Sequence, residues 1–329
     1  MSESEMIKNT ETTKIPFYKR TAFKQYSPIT IVLILLLIIG IVLSRDTFFT
    51  VTNMTNIVRQ ASILAIVGVA MTMIIISGGI DLSAASNLIV SSLVAGIIVR
   101  GGGSNVAAVI AALATGLSFG LANGLLIVKF KIPPFIVTLG TSLIGLGIAL
   151  HISDGRIVSA FNPFFMWMGW DYLGFLPIPA VFAIIVVVIG IIIEKKTTIG
   201  RYMYAIGGNE EASKLSGINV EKYKLLIYSI SGLFIGMASL VQLARIGAAS
   251  SEIGIGTEMY AITAVVIGGT SIKGGHGSVI GTAVGVLILM VLNNILNMLN
   301  VPSASQRVFR GTILLVAIII YQRQQKRAL

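Results

Sequence analysis

Long apolar runs recur along the whole chain, and no other feature limits its fold so severely. ITIVLILLLIIGIVL, from Ile29 to Leu43, and PAVFAIIVVVIGIII, from Pro179 to Ile193, are two of them. A helix needs roughly 20 mostly apolar residues to cross the hydrocarbon core of a bilayer, where every backbone N–H and C=O must find a partner within the protein. Only 11% of the residues are charged, against about 25% in an ordinary soluble domain. That is too little charge to clothe a water-facing surface. The expected fold is all-α: a polytopic membrane helical bundle of about ten transmembrane helices, centred near residues 36, 68, 91, 116, 142, 186, 234, 264, 287 and 315. A count of eight stays open, with the short segments near 91 and 264 re-entrant.

Charge placement orients the bundle. With the N-terminus placed inside, the tail 1–28, the Asp81 turn, the Lys129 bend, the loop 194–224, the Lys273 turn and the C-terminal tail all face the cytoplasm. Every lysine then falls on that side, and the exterior keeps only Arg45, Arg59, Arg100, Arg156, Arg245, Arg307 and Arg310. This is the asymmetry of the positive-inside rule, so the net charge of +11 belongs to a membrane surface and does not point to nucleic acid. The expected organisation is a cytoplasmic tail 1–28, a single transmembrane domain 29–322 and a cytoplasmic tail 323–329. No A-x-A-like site follows the first apolar run, so that run is expected to stay in the mature protein.

Small residues mark where helices approach closely. Gly116, Gly120 and Gly124, the pair Gly232 and Gly236, and the pair Gly281 and Gly285 are each spaced by four, the stripe by which membrane helices associate without a hydrophobic drive. Two other glycine-bearing stretches resemble each other, IISGGIDLS ending at Ser83 and VIGGTSIKGG ending at Gly275. A glycine-interrupted apolar segment recurring in both halves of a transporter points to the solute path, and Gly78, Gly79, Asp81, Ser83, Gly268, Gly269 and Thr270 are the candidate pathway or turn residues. Asp81 lies in an apolar context and reads as an N-cap for the span that follows, as a polar pathway group, or as both. Asp46, Asp154, Asp171, Glu252 and Glu258 read as solvated charges in loops or at span ends.

Catalytic patterns are missing from the sequence. There is no cysteine, hence no disulfide or thiolate chemistry, and His151 and His276 stand far apart without a carboxylate motif. Neither H-E-x-x-H nor G-x-S-x-G occurs, and GGTSIKGGHGS lacks the spacing of a phosphate-binding loop. No cofactor is expected on this chain, and transport is favoured over catalysis. An ion-coupled secondary transporter of a small polar solute is the alternative, but it should carry several carboxylates at mid-membrane.

One polar segment interrupts this pattern, GRYMYAIGGNEEASKLSGINVEKYK from Gly200 to Lys224. Asn209 as N-cap, Glu210 and Glu211 in the first turn, Lys214 in the last and Gly217 beyond the end predict a helix of about two turns. Helices that short are marginal alone in water, so either the protein's own loops or a cytoplasmic partner must pack on it.

YAIGGNEEASKLSGINV (Tyr204 to Val220), SGGIDLS (Ser77 to Ser83), IPPFIVTLGT (Ile132 to Thr141), AVVIGGTSIKGGHGSVIGT (Ala264 to Thr282) and LNNILNMLNV (Leu292 to Val301) together resemble the permease subunits of ribose-type ABC sugar importers. The resemblance runs from about Ile29 onward. It departs after GIDLS, where the usual Val-Gly-Ser is Ala84, Ala85 and Ser86. The resemblance implies a homodimer in the inner membrane, a cytoplasmic ATPase that binds ATP and Mg, and an extracytoplasmic sugar-binding protein. It also implies a coupling helix carrying Gly207, Gly208, Asn209, Glu210, Ala212, Leu215, Ser216 and Gly217. Ribose is the first expectation for the sugar, with allose, galactofuranose, xylose, inositol or an autoinducer-2-like sugar as further members. Arg59, Arg307 and Arg310, on the exterior, are expected to meet acidic patches of the binding protein.

Overall fold

A computed structural model describes residues 21–43, 46–309, 311, 312, 315 and 319. Arg45, Arg310, most of the run near 315 and the tail 323–329 lie outside the described residues, as does the tail 1–28 up to residue 20. The described elements, in order, are α1 (Thr21–Leu43), α2 (Val51–Ile76), α3 (Ala84–Arg100), α4 (Asn105–Phe130), α5 (Pro134–Ser153), β1 (Val158–Ser159), α6 (Pro163–Trp170), β2 (Tyr172–Leu173), β3 (Leu176–Pro177), α7 (Ile178–Lys196), α8 (Thr198–Gly208), α9 (Glu210–Leu215), α10 (Val220–Ile246), β4 (Ala248–Ala249), α11 (Thr257–Ile267) and α12 (Val279–Met298). A helix covers each expected centre from 36 to 287. Among the described residues six helices are long and apolar enough to cross a membrane: α2, α4, α5, α7, α10 and α12. The segments near 91 and 264 form the shorter helices α3 and α11, and at about 1.5 Å per residue the 11 residues of α11 fall well short of a bilayer core.

The bundle is built around α2. From Ile66 to Ile76 its side chains are buried, packed against α7, α10, α11 and α12. By contrast, α5 turns Leu143 and Ile144 outward, the apolar surface a lipid-facing helix requires. The most extensive helix pairing is between α4 and α10, which run antiparallel on the glycines noted above. A Cβ on Gly116 would stand 2.5 Å from the Gly232 carbonyl oxygen, and one on Gly120 would stand 2.2 Å from that of Tyr228. Likewise, α11 and α12 meet where a Cβ on Gly285 would lie 2.1 Å from the Ala264 carbonyl oxygen. Close backbone approach supplies dispersion contacts over the full length of the seam, the attraction that remains when both lipid and protein are apolar.

Small elements close one end of the bundle. Val158–Ser159 pairs antiparallel with Ala248–Ala249, and Tyr172–Leu173 with Leu176–Pro177. Arg59 lies beneath the latter hairpin, only 6% exposed, donating to the Trp170 carbonyl with its guanidinium over the Trp170 and Tyr172 rings. The expected surface role of Arg59 is therefore corrected: aromatic rings and a carbonyl satisfy its charge inside the fold. Arg307 is exposed.

Candidate functional site

The two glycine-bearing stretches turn by the same device. After α2, Gly78 has a φ of +84°, its N–H donates to the Ile75 carbonyl, and the N–H of Gly79 donates to that of Ile74. After α11, Gly269 has a φ of +87°, its N–H donates to Val266, and that of Thr270 to Val265. Both are left-handed helix stops that use glycine to satisfy the last free carbonyls. Gly268, one residue earlier, has no room for a side chain, since a Cβ would stand 2.5 Å from the Gly281 backbone.

Beyond the first stop, Asp81 is 3% exposed. Its Oδ1 accepts from the Ser83 N–H at 2.8 Å and from the Ser83 hydroxyl at 2.6 Å. The cap of α3 is Ser83, so the N-cap reading of Asp81 is corrected: the carboxylate stands two residues upstream and closes a turn by binding Ser83 instead of the helix amides. Asn123 donates from Nδ2 to the Ser83 hydroxyl at 2.8 Å and accepts at Oδ1 from Thr141 at 2.7 Å. Thus Asp81, Ser83, Asn123 and Thr141 tie the turn to α4 and α5. Asn123→Ala would remove both bonds, leaving the Ser83 hydroxyl on Asp81 and the Thr141 hydroxyl on the Thr138 carbonyl, and should cost about 1–3 kcal/mol for the two, read as a lower melting midpoint of the purified protein against wild type.

The polar segment forms the expected capped helix. In α9 the Asn209 side chain accepts from the Ala212 N–H at 3.0 Å, the C-cap is Ser216, and Gly217 has a φ of +81°, with the Ile218 N–H returning to the Ser213 carbonyl at 3.1 Å. Glu210 pairs with Lys214 at 2.7 Å and with Lys224 at 2.5 Å. Partial burial alone would push the Glu210 carboxyl up, but hydrogen bonds and charge from the two lysines outweigh it and hold the carboxyl below its ordinary value. Stability from this triad is present above the unfolded carboxylate range and is lost as pH falls through the lowered folded value. Glu210→Gln should cost under about 1 kcal/mol at neutral pH, as for other half-exposed pairs. The gap in melting midpoint between variant and wild type should narrow as pH falls below the ordinary carboxylate range and close once it has passed the lowered folded value.

The segment before α9 also folds as a helix, the amphipathic α8, which meets α9 at Asn209. Its C-terminal glycines bring the separate motifs together. A Cβ on Gly207 would stand 1.7 Å from the Ile76 carbonyl oxygen and 2.6 Å from the Gly275 nitrogen, and one on Gly275 would stand 2.8 Å from Gly208 Cα. The Gly275 N–H donates to the Ile76 carbonyl at 2.9 Å. Three chain segments, around Gly78, Gly207 and Gly275, thus pack backbone on backbone at the foot of the capped helix. A carboxylate completes the joint: Glu194, buried at the end of α7, accepts from the Val279 N–H at the start of α12 at 2.8 Å. The Tyr204 hydroxyl lies 3.1 Å from Glu194 Oε1 and 2.7 Å from the Gly277 carbonyl oxygen.

Glu194 was not apparent from the sequence, where it stands at the edge of a polar loop. The signal that could have found it is an acid held directly against an apolar run, three residues before the Thr197 cap of α8. Glu258 departs from the solvated reading as well. It is half-buried in the first turn of α11, and its Oε2 has no partner among the described residues.

Comparison with known proteins gives a consistent picture. The family described as "Branched-chain amino acid transport system / permease component" matches residues 53–318. The ribose import permease protein RbsC of Escherichia coli strain K12 is 39% identical, over 88% of this chain and 92% of that protein. The protein of the same name from Bacillus subtilis is 39% identical over 88% of this chain and 90% of its own. The D-allose transport system permease protein AlsC of Escherichia coli is 35% identical over 95% of this chain and 96% of its own. No solved structure matches.

Proposed function

Because this chain belongs to the permease family described as "Branched-chain amino acid transport system / permease component", we propose that it is the transmembrane subunit of an ATP-driven importer that translocates a monosaccharide. It is a multi-pass membrane protein and the transport subunit of the importer, with ATP hydrolysis assigned to a separate subunit. Ribose is the first candidate for the sugar, because the relatives quoted first are named as ribose import permeases; the relative named for D-allose, and two more named for xylose in Haemophilus influenzae (32% identical) and for galactose in Escherichia coli (33% identical), keep those sugars open.

The observation that carries the ATP-driven reading is the seating of Gly207 and Gly208, immediately before the capped helix Glu210–Leu215, on the turns that follow Val51–Ile76 and Thr257–Ile267. In that reading Glu210–Leu215 is the coupling helix. A separate ATPase, which would bind ATP and Mg, pushes on it from the cytoplasm, and the glycine contacts pass the push to the membrane turns. Gly207, Gly208, Asn209, Glu210, Ala212, Leu215, Ser216 and Gly217 are the coupling residues. Gly78, Gly79, Asp81, Ser83, Gly268, Gly269 and Thr270 shape the turns that move. The lysine-rich end, with the turn at Asp81, the bend at Lys129 and the turn at Lys273, faces the cytoplasm of a bacterial inner membrane. Both termini lie there as well, with about ten spans in a single domain 29–322. A second copy and an extracytoplasmic sugar-binding protein complete the assembly. Arg307 and Arg310 are the remaining candidates for contact with the binding protein.

Uptake of radiolabelled ribose, allose, xylose or galactose into proteoliposomes holding the permease with its ATPase and binding protein tests the proposal. Uptake that needs ATP and the binding protein is expected. Uptake driven by a proton or sodium gradient in the absence of ATP would establish the ion-coupled alternative.

A further inference from the structure

Far from the coupling helix, the bundle opens into a partly polar cavity of about 190 Å³, bordered by Gln60, Gln242, Arg245, Thr257, Tyr260 and Asn293. Those residues come from α2, α10, α11 and α12, four helices that also meet in the core. Leu64 and Met290, both buried, line it too. Gln60 and the end of α2 at Ile76 are separated by 16 residues, about 24 Å along a helix axis at 1.5 Å per residue. The cavity therefore sits near one membrane face while the Ile76 turn closes the other with backbone contacts.

Its lining mixes three carboxamides with a guanidinium, a hydroxyl and an aromatic ring. The carboxamides of Gln60 and Asn293 each offer both donor and acceptor atoms, Gln242 is held by its amide nitrogen on the Ile253 carbonyl at 3.1 Å and keeps its oxygen as an acceptor, and the Arg245 guanidinium offers donors only. Adjacent hydroxyls on a ring ask for this mixture, since each hydroxyl both gives and takes a hydrogen bond. Tyr260 supplies an aromatic ring of the kind that packs on the apolar C–H face of a sugar, and no carboxylate is among the lining residues. Pockets for drug-sized ligands run from about 300 to 1,000 Å³, so this smaller space suits a single ring.

We infer that this cavity binds the transported monosaccharide as it enters from the side opposite the coupling helix, with Gln60, Gln242, Arg245 and Asn293 reading its hydroxyl groups. The inference rests on the sugar-importer reading. It adds specificity to the permease itself, beyond that of any delivering protein.

The test uses the full assembly in proteoliposomes, with labelled ribose, allose, xylose and galactose as probes. The double variant Gln60→Leu/Asn293→Leu keeps side-chain bulk but removes two amides. Sugar taken up per ATP hydrolysed should fall at least 10-fold, and a ratio within twofold of wild type would overturn the inference. Should that variant fail to assemble with its ATPase, Asn293→Gln decides, because it keeps the amide and displaces it by one methylene. A changed order of preference among the four sugars supports the site, and an unchanged order overturns it. Wild-type protein separates the two levels: if it takes up none of the four sugars with ATP, the importer reading has failed. If wild type transports and the variants match it, only the cavity assignment has failed.

Discussion

Gly207→Ala is expected to disrupt the protein, while Gly208→Ala, one residue along the same helix, is tolerated. At Gly207 the added carbon would stand 1.7 Å from the Ile76 carbonyl oxygen and 2.6 Å from the Gly275 nitrogen, whereas nothing lies within 4 Å at Gly208. Both obstacles at Gly207 are backbone atoms, so no side chain can rotate away. Relief must separate the segments and break the Gly275 N–H bond to Ile76, 2.9 Å long. Overpacking a well-packed interior costs about 1–3 kcal/mol and sometimes more, and a clash between backbones belongs at the top of that range. The melting midpoint of the purified Gly207→Ala protein should drop by about 5–10 °C, with ATP-driven uptake lost. Equal stability of the Gly207 and Gly208 variants would show that the three segments are not in contact in the working protein.

Leu215→Asp should have the opposite profile: normal folding and loss of the ATPase. Leu215 is 91% exposed at the end of the capped helix, so its replacement removes no contact within the chain. Aspartate there meets the C-terminal end of the helix dipole, a cost of at most about 1 kcal/mol. If the ATPase covers this helix, an exposed leucine is a natural anchor. Full burial of such a side chain contributes about 1.5–3 kcal/mol, and a carboxylate in its place adds a desolvation cost. Co-purification of the ATPase should weaken by about 100-fold or more, with the melting midpoint of the isolated permease within about 2 °C of wild type. Stoichiometric ATPase on the variant would remove this helix from the interface.

These two residues show what could and could not be read from the order of amino acids. Leu215 belongs to a helix whose caps are all local: Asn209 reaches Ala212, and Gly217 follows the last turn. Local signals of that kind are legible without a fold. The spacing of Gly116 and Gly120 announced a close helix contact for the same reason, although it could not name α10 as the partner. Gly207 is different. Its neighbours Ile76 and Gly275 are more than 60 residues away on either side, and their meeting is a product of how the bundle closes. Arg59 misled because an isolated charge near a span end ordinarily faces water, whereas here two aromatic rings from the 170–177 segment fold over it. Asp81 was placed two residues out because its spacing from the apolar run suits either a cap or a turn, and the hydroxyl of Ser83 settles the choice. The helix Thr198–Gly208 was hidden by glycines at both ends. Its tyrosines and Met203 gain their meaning only from the packing of one face against the bundle.

The central claim is mechanical: Glu210–Leu215 moves as one body with the turn around Gly275 when the ATPase closes. The chain has no cysteine, so introduced pairs of thiols can carry spin labels without competition. Leu215 and Lys273 are both exposed, and Leu143 stands on the outward face of α5. Pulsed electron resonance on the assembled importer should then be recorded with and without a non-hydrolysable ATP analogue, for the pair Leu215→Cys/Lys273→Cys and for the pair Leu215→Cys/Leu143→Cys. A rigid joint predicts that the first distance stays within ~2 Å while the second changes by more than that, the scale on which packed helices shift in coupled transitions. A first distance that changes as much as the second would contradict the account.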